Sequence, residues 1–169
     1  MSLLRFLGIS EPAPSTRETA TVREIAARLE RLPAEKARYL AGFAYVLARV
    51  AHADLEFTED ETREMHRIVT ELATLESGEA DLVVEIAKSQ ARLLGGTENY
   101  VVTREFREHS SKAQRGQLLA CLYVVAAADG TISGAEAAEI VAIAEELGFT
   151  RAEANSLRAR YRDELAEFQ

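Results

Sequence analysis

The sequence predicts an all-α fold: a single-domain helical bundle of about seven or eight helices with an internal duplicated helix-turn-helix unit and a pseudo-two-fold. Three observations predict it. Apolar residues recur at helical spacing through most of the chain, the pattern of helices that each turn one face to a core. Capping-box patterns stand before three of those runs, at Thr58–Glu61, Ser133–Glu136 and Thr150–Glu153, where a hydroxyl and a glutamate satisfy each other's backbone donors. The three prolines and nine glycines fall mostly at the ends of the periodic segments, and no convincing strand is present. Local propensity, capping and pattern therefore agree.

Residues 1–18 read as an apolar N-terminal segment with a linker, and 19–169 as the helical domain, with duplicated units over about 33–94 and 103–169. MSLLRFLGIS is too short to span a bilayer and lacks the basic region and cleavage site of a signal peptide. It either docks on the core or touches a membrane surface or partner through Leu3, Leu4, Phe6, Leu7 and Ile9. EPAPST is the linker.

From about Thr19 to Arg31, Val22, Ile25, Ala26 and Leu29 share a helical stripe. Pro33 ends that helix and suits the first position of the next. This next helix runs to about Ala53 with Leu40, Phe43, Leu47, Val50 and Ala51 on one face. Thr58 opens a third helix, lined by Met65, Ile68, Leu72 and Leu75. Ser77 is expected to cap a fourth, carrying Leu82, Val83, Ile86, Leu93 and Leu94 and stopped by Gly95 and Gly96. Residues 97–109 are the least readable, with a short helix expected around Phe106. A strong helix follows from about Ser110 to Ala128 with Leu118, Leu122 and Val125, and Gly130 supplies the turn after it. Ser133 opens a helix lined by Ile140, Ile143 and Leu147 and ended by Gly148; Thr150 opens the last, with Leu157, Tyr161, Leu165 and Phe168.

The bulk properties narrow the function. The chain of 169 residues carries a net charge of −8, with 47% apolar and 28% charged residues. One domain of this size buries a sizeable core. The acidic balance excludes a generic nucleic-acid-binding role, which needs a basic face. It favours cations and basic partners. A single cysteine, Cys121, excludes an internal disulfide and fits a cytoplasmic setting. No apolar run reaches the roughly 18–20 residues of a membrane span.

The duplication marks the candidate site. Shifted by 75 residues, positions 47–72 align with 122–147 without a gap, and ten of the 26 pairs are identical. Helical periodicity accounts for Leu47 matching Leu122. It does not account for Asp54 matching Asp129, Glu61 matching Glu136, Glu64 matching Glu139, or Glu71 matching Glu146. Asp and Glu stand seven apart at both junctions, Asp54 with Glu61 and Asp129 with Glu136. Each continues a stripe of core residues, so all four are expected at the edge of the core, where a carboxylate is costly unless bonded, paired or liganded. Two readings stay open. In one, Glu61 and Glu136 only close capping boxes, and the aspartates only bond turn amides. In the other, oxygens from both copies hold a divalent cation, calcium or magnesium rather than zinc, since hard cations take carboxylate and carbonyl oxygens. The spacing is not that of an EF-hand loop. Leu55 stands where the second copy has Gly130, and the first copy is expected to be the weaker.

Other candidates are poorer. His52, His66 and His109 suit surface or capping roles better than metal ligation. Cys121 reads as a small core residue. Ser110 and Ser111 beside His109 lack the third group and oxyanion site of a nucleophilic centre. No phosphate-binding glycine loop is present, and no organic cofactor is expected.

The stretches AHADLEFTEDE, AAADGTISGAEAAEI and ELGFTRAEANSL resemble the TerB-like family, helical domains named from tellurite-resistance proteins and also found at the N-terminus of DjlA-type co-chaperones. The resemblance covers about Pro33 to Phe168. It implies a doubled helical architecture and acidic cation-binding positions, which carry onto Asp54, Glu61, Asp129 and Glu136. It also implies a stress-associated binding role near membrane proteins. No J-domain sequence follows Phe168, so a co-chaperone role is not expected. The leading expectation is thus a non-enzymatic, cytoplasmic binding module that holds a divalent cation and presents a surface to a protein partner, a membrane protein being one candidate. The alternative is a metal-free protein-interaction domain. A metal-dependent hydrolase ranks below both, because no base or nucleophile accompanies the acidic residues.

Overall fold

The computed structural model describes residues 20–51, 58–91, 98–128, 130–161 and 163. They form helices α1 (Ala20–Glu30), α2 (Ala34–Ala51), α3 (Glu59–Ala73), α4 (Ser77–Ala91), α5 (Glu98–Glu108), α6 (Lys112–Ala126), α7 (Gly134–Glu146) and α8 (Arg151–Ala159). Among the described residues no strand forms beyond an isolated bridge at the buried Ile132.

α2 is the central element. Every residue from Tyr39 to Val50 is buried, and the helix packs on α1, α4, α5, α6 and α7. The sequence reading gave it one apolar face. The run Tyr39–Ala48 contains no charge, and a helix apolar all round belongs inside. Its residues Leu40, Phe43 and Leu47, fully buried with Ile86 of α4 and Leu118 and Leu122 of α6, each contribute about 2 kcal/mol by leaving water. Tyr39 stacks on Phe106 of α5 at 5.5 Å, and Phe43 meets the same ring edge-on at 6.3 Å.

The cross-packing follows the duplication. α3 packs on α6, and its counterpart α7 packs on α2, so each half lends a helix to the other. All three expected capping boxes form, and Ser111 with Gln114 makes a fourth before α6.

Other details differ from the expectations. Pro33 sits one residue ahead of α2, its carbonyl accepting from the Ala37 N–H at 3.0 Å. Ser77 is the first residue of α4 rather than its cap. The Glu76 carbonyl accepts from the Ala80 N–H, and Glu79 accepts from the Glu76 N–H. The segment expected to hold a short helix around Phe106 is an eleven-residue helix, α5. Its inward residues Val102, Thr103 and Phe106 are buried, but Tyr100 and Val101 are exposed. Apolar residues on both sides blur the stripe by which a helix is read. Residues 1–18, Gly95, Gly96, Leu165 and Phe168, on which other expectations fell, lie outside the described residues.

α7 ends in a Schellman motif: Phe149 N–H donates to Ala144 O and Gly148 N–H to Glu145 O, both at 3.0 Å, with Gly148 at φ +87°. α7 has no basic residue in its own last turn. Arg115 of α6 supplies one, donating to Leu147 O at 2.7 Å, and the Arg107 side chain lies over Gly148. Both cations complement the negative end of the helix dipole.

Candidate functional site

The two junctions open their helices in the same way. Thr58 (φ −68°, ψ 164°) and Ser133 (φ −65°, ψ 158°) are N-caps of near-identical backbone. Glu61 Oε2 accepts from the Thr58 N–H at 2.7 Å and from its hydroxyl at 3.0 Å. Glu136 Oε2 accepts from the Ser133 N–H at 2.8 Å. In return the Glu61 and Glu136 N–H groups donate to the cap hydroxyls at 3.2 and 3.1 Å. The backbone bond from Thr58, reinforced by its hydroxyl, holds the Glu61 carboxyl below its ordinary value.

The exposure of one of them departs from the expectation. Glu61 is exposed, and only Glu136 is half-buried at the core's edge. Side chains in a helix lean toward its N-terminus, and this turns Glu61 back over its own cap, away from the stripe of Met65 and Ile68. Asp54 and Asp129 lie outside the described residues. Among the described residues no group of three or more His, Cys, Asp or Glu is placed to hold a metal ion.

Sequence reasoning missed the charge cluster that ties these junctions into the fold. Arg49, 7% exposed, lies two residues before the end of α2. Its Nε and Nη2 donate to Glu139 Oε1 at 3.0 and 2.7 Å, and its Nη1 donates to Glu146 Oε2 at 2.6 Å and to the buried Thr103 hydroxyl at 2.8 Å. Burial pulls the guanidinium down, but the bonds to Glu146 and Glu139 outweigh this and hold it above its ordinary value. The last turn of α2, which leads to Asp54, is thereby fastened to α7, the helix that Glu136 opens. The signal was present: Arg49 is the lone charge between Arg38 and His52 in an apolar run, and Glu139 and Glu146 recur as Glu64 and Glu71 in the first copy. The recurrence conceals a difference. Glu64 and Glu71 both hold Arg67 of their own exposed helix face, whereas Glu139 and Glu146 reach across the bundle to Arg49.

The remaining candidates have local roles. His66 joins α3 to α4, with Nε2 3.0 Å from Asp81 Oδ1 and 3.3 Å from Ser77 O. His109 meets Arg38. His52 lies outside the described residues. Cys121 is fully buried and burial pushes its thiol up to about 12, so it is inert. Ser110 donates to the Phe106 carbonyl and Ser111 caps α6. No helix among the described residues is long and apolar enough to cross a membrane.

No curated protein and no solved structure matches the chain. The family model of the tellurite resistance protein TerB matches residues 40–159, well over half of the chain, from within α2 to the end of α8. The chain belongs to the TerB family.

Proposed function

We propose that this chain is a non-enzymatic, stress-associated binding module of the tellurite-resistance type that coordinates a divalent cation, calcium or magnesium, through Asp54, Glu61, Asp129 and Glu136. It acts in the cytoplasm on a protein partner, a membrane protein being one candidate. The observation that supports this reading is the identical capping geometry of the two junctions, which orders one glutamate at each before any ligand arrives. A carboxylate already oriented gives up less freedom when it takes a cation. Metal binding would then lock the junctions and fix the helical surface shown to the partner.

One observation favours the metal-free reading. Gln114 closes the same box before α6 without a charge, so the box itself needs no cation. The same residue suggests the test. Glu136→Gln keeps an acceptor for the Ser133 N–H while removing the charge. Calcium, magnesium, manganese and zinc are titrated by calorimetry, and melting is followed in wild type, Glu136→Gln and Asp129→Ala. Cation coordination predicts a wild-type melting temperature that rises with one metal, and a rise diminished in both variants. Unchanged melting of the wild type with all four metals leaves the interaction domain whose carboxylates only cap helices.

A further inference from the structure

The two described histidines present opposite chemistry at the same ring nitrogen. Nε2 of His66 faces two acceptors, Asp81 Oδ1 at 3.0 Å and Ser77 O at 3.3 Å. It carries a hydrogen whether the ring is neutral or charged. Nε2 of His109 faces Arg38 Nη1 at 3.2 Å, and a guanidinium nitrogen only donates. That contact requires a lone pair on Nε2, hence a neutral ring with its hydrogen on Nδ1. The same Nε2 is 3.6 Å from Glu105 Oε2, which as a carboxylate only accepts. One nitrogen thus stands between an obligate donor on α2 and an obligate acceptor one turn back on α5, and it serves one at a time.

We infer that His109 is a proton-operated latch between α2 and α5. While neutral it accepts from Arg38 and closes the two helices over the Tyr39–Phe106 stack, whose residues adjoin Arg38 on α2 and precede His109 by one turn on α5. Protonation places a hydrogen on Nε2 and a charge beside the guanidinium. The ring turns to Glu105, and Arg38 loses its bond across the interface. A histidine ring nitrogen is suited to such an exchange, because it accepts when bare and donates when protonated. Among the described residues, Arg38 from α2 and Glu105 from α5 are the charged groups in contact with the ring. The nearest charged residue along α6, Lys112, is held by Glu153. Arg38 Nε is buried without a hydrogen-bond partner, so the bond to His109 is the one this guanidinium gains by pointing there.

Ring-nitrogen NMR of the full chain tests this, with each histidine assigned through its Gln variant. At pH 8 the latch predicts the Nδ1–H tautomer for His109 and the Nε2–H tautomer for His66, which serves as the internal control. An Nε2–H tautomer for His109 at pH 8 overturns the inference. Between pH 8 and 5 the ring resonances of Tyr39 and Phe106 are expected to shift with the His109 titration. His109→Gln can accept from Arg38 through its amide oxygen but does not titrate, and there those shifts are expected to vanish. Shifts that persist in His109→Gln with wild-type amplitude also reject the latch.

Discussion

Arg49 and Glu139 stand 90 residues apart in sequence, yet two guanidinium nitrogens, at 3.0 and 2.7 Å, bond one carboxylate oxygen. This pair and its partner Glu146 are a buried polar fastening between the halves of the duplication. An arginine with so little exposure is stable there only because every side of it is met. Removing it takes the guanidinium's bonds away from two carboxylates and a buried hydroxyl. Arg49→Met, which keeps the packing of the stem, is expected to cost about 2 kcal/mol by urea denaturation. This is below the roughly 3–5 kcal/mol of a fully buried pair, because Glu139 is 39% and Glu146 19% exposed. Adding Glu139→Gln and Glu146→Gln to Arg49→Met is expected to recover part of the loss. Arg67→Met, the same change at an exposed pair of the first copy, is expected to cost much less. Equal losses at Arg49 and Arg67 would show that the cross-bundle pairing carries no special weight.

The helix ends were legible in the sequence because a cap is a local matter: a hydroxyl, a glutamate and two residues between them define each box. Thr58, Ser133 and Thr150 were all readable this way. α5 was not, because Tyr100 and Val101 place apolar side chains on its exposed face. The Arg49 cluster was not either. Its partners lie 90 and 97 residues away, and although Ala142 standing where the first copy has Arg67 leaves Glu139 and Glu146 without a cation on their own helix, nothing local names the distant one they meet. The capping reading of Glu61 and Glu136 was available from spacing alone. The exposure of Glu61 was not, since a residue three positions into a helix sits on the stripe by periodicity and leaves it by curling back to its cap; Glu136 stays half-buried at the core's edge.

The caps themselves are measurable. Ser133→Ala removes the acceptor for the Glu136 N–H and leaves the backbone N–H of residue 133 that donates to the glutamate, at an expected cost of about 1 kcal/mol. Thr58→Ala is expected to behave alike, since the two caps share backbone geometry. Both losses should be the same in chelator and in excess calcium if the boxes act only as caps. A Ser133→Ala cost that appears only with metal present would tie the box to cation binding.

Glu153 carries the acid sensitivity of the last helix. The hydrogen bond from Lys112, followed by that from the Thr150 N–H, lowers its carboxyl from 4.5 to about 2. A carboxylate depressed in the folded state contributes stability above its unfolded value, and that contribution is lost as pH falls through the folded one. The window here is about pH 4.5 down to 2. Glu153→Gln keeps an acceptor for the Thr150 N–H, as Gln114 does for Ser111, but has nothing to titrate. Its melting temperature is expected to fall less steeply than that of wild type across this window. High salt should narrow the gap by screening Lys112. Parallel curves for the two proteins would remove Glu153 from the acid response.

Among the described residues two glycines occupy positive φ, and their surroundings separate two costs. Gly130 lies at φ +97° with open space where a Cβ would stand, whereas Gly148 lies at φ +87° with the Arg107 guanidinium in that space, its Nε 2.7 Å from an added Cβ. Alanine at either position meets the left-handed backbone penalty of about 1 kcal/mol. Gly148→Ala must also displace Arg107 from the end of α7, where its charge complements the helix dipole. It is therefore expected to destabilise more than Gly130→Ala. The displaced atoms are the far end of a flexible side chain, so the excess should be a fraction of the backbone cost. A double-mutant cycle isolates it. In an Arg107→Ala background the cost of Gly148→Ala should fall to that of Gly130→Ala and no further, since the backbone penalty remains. A cost for Gly148→Ala that is the same with and without Arg107 would show that the guanidinium does not depend on the glycine for its place.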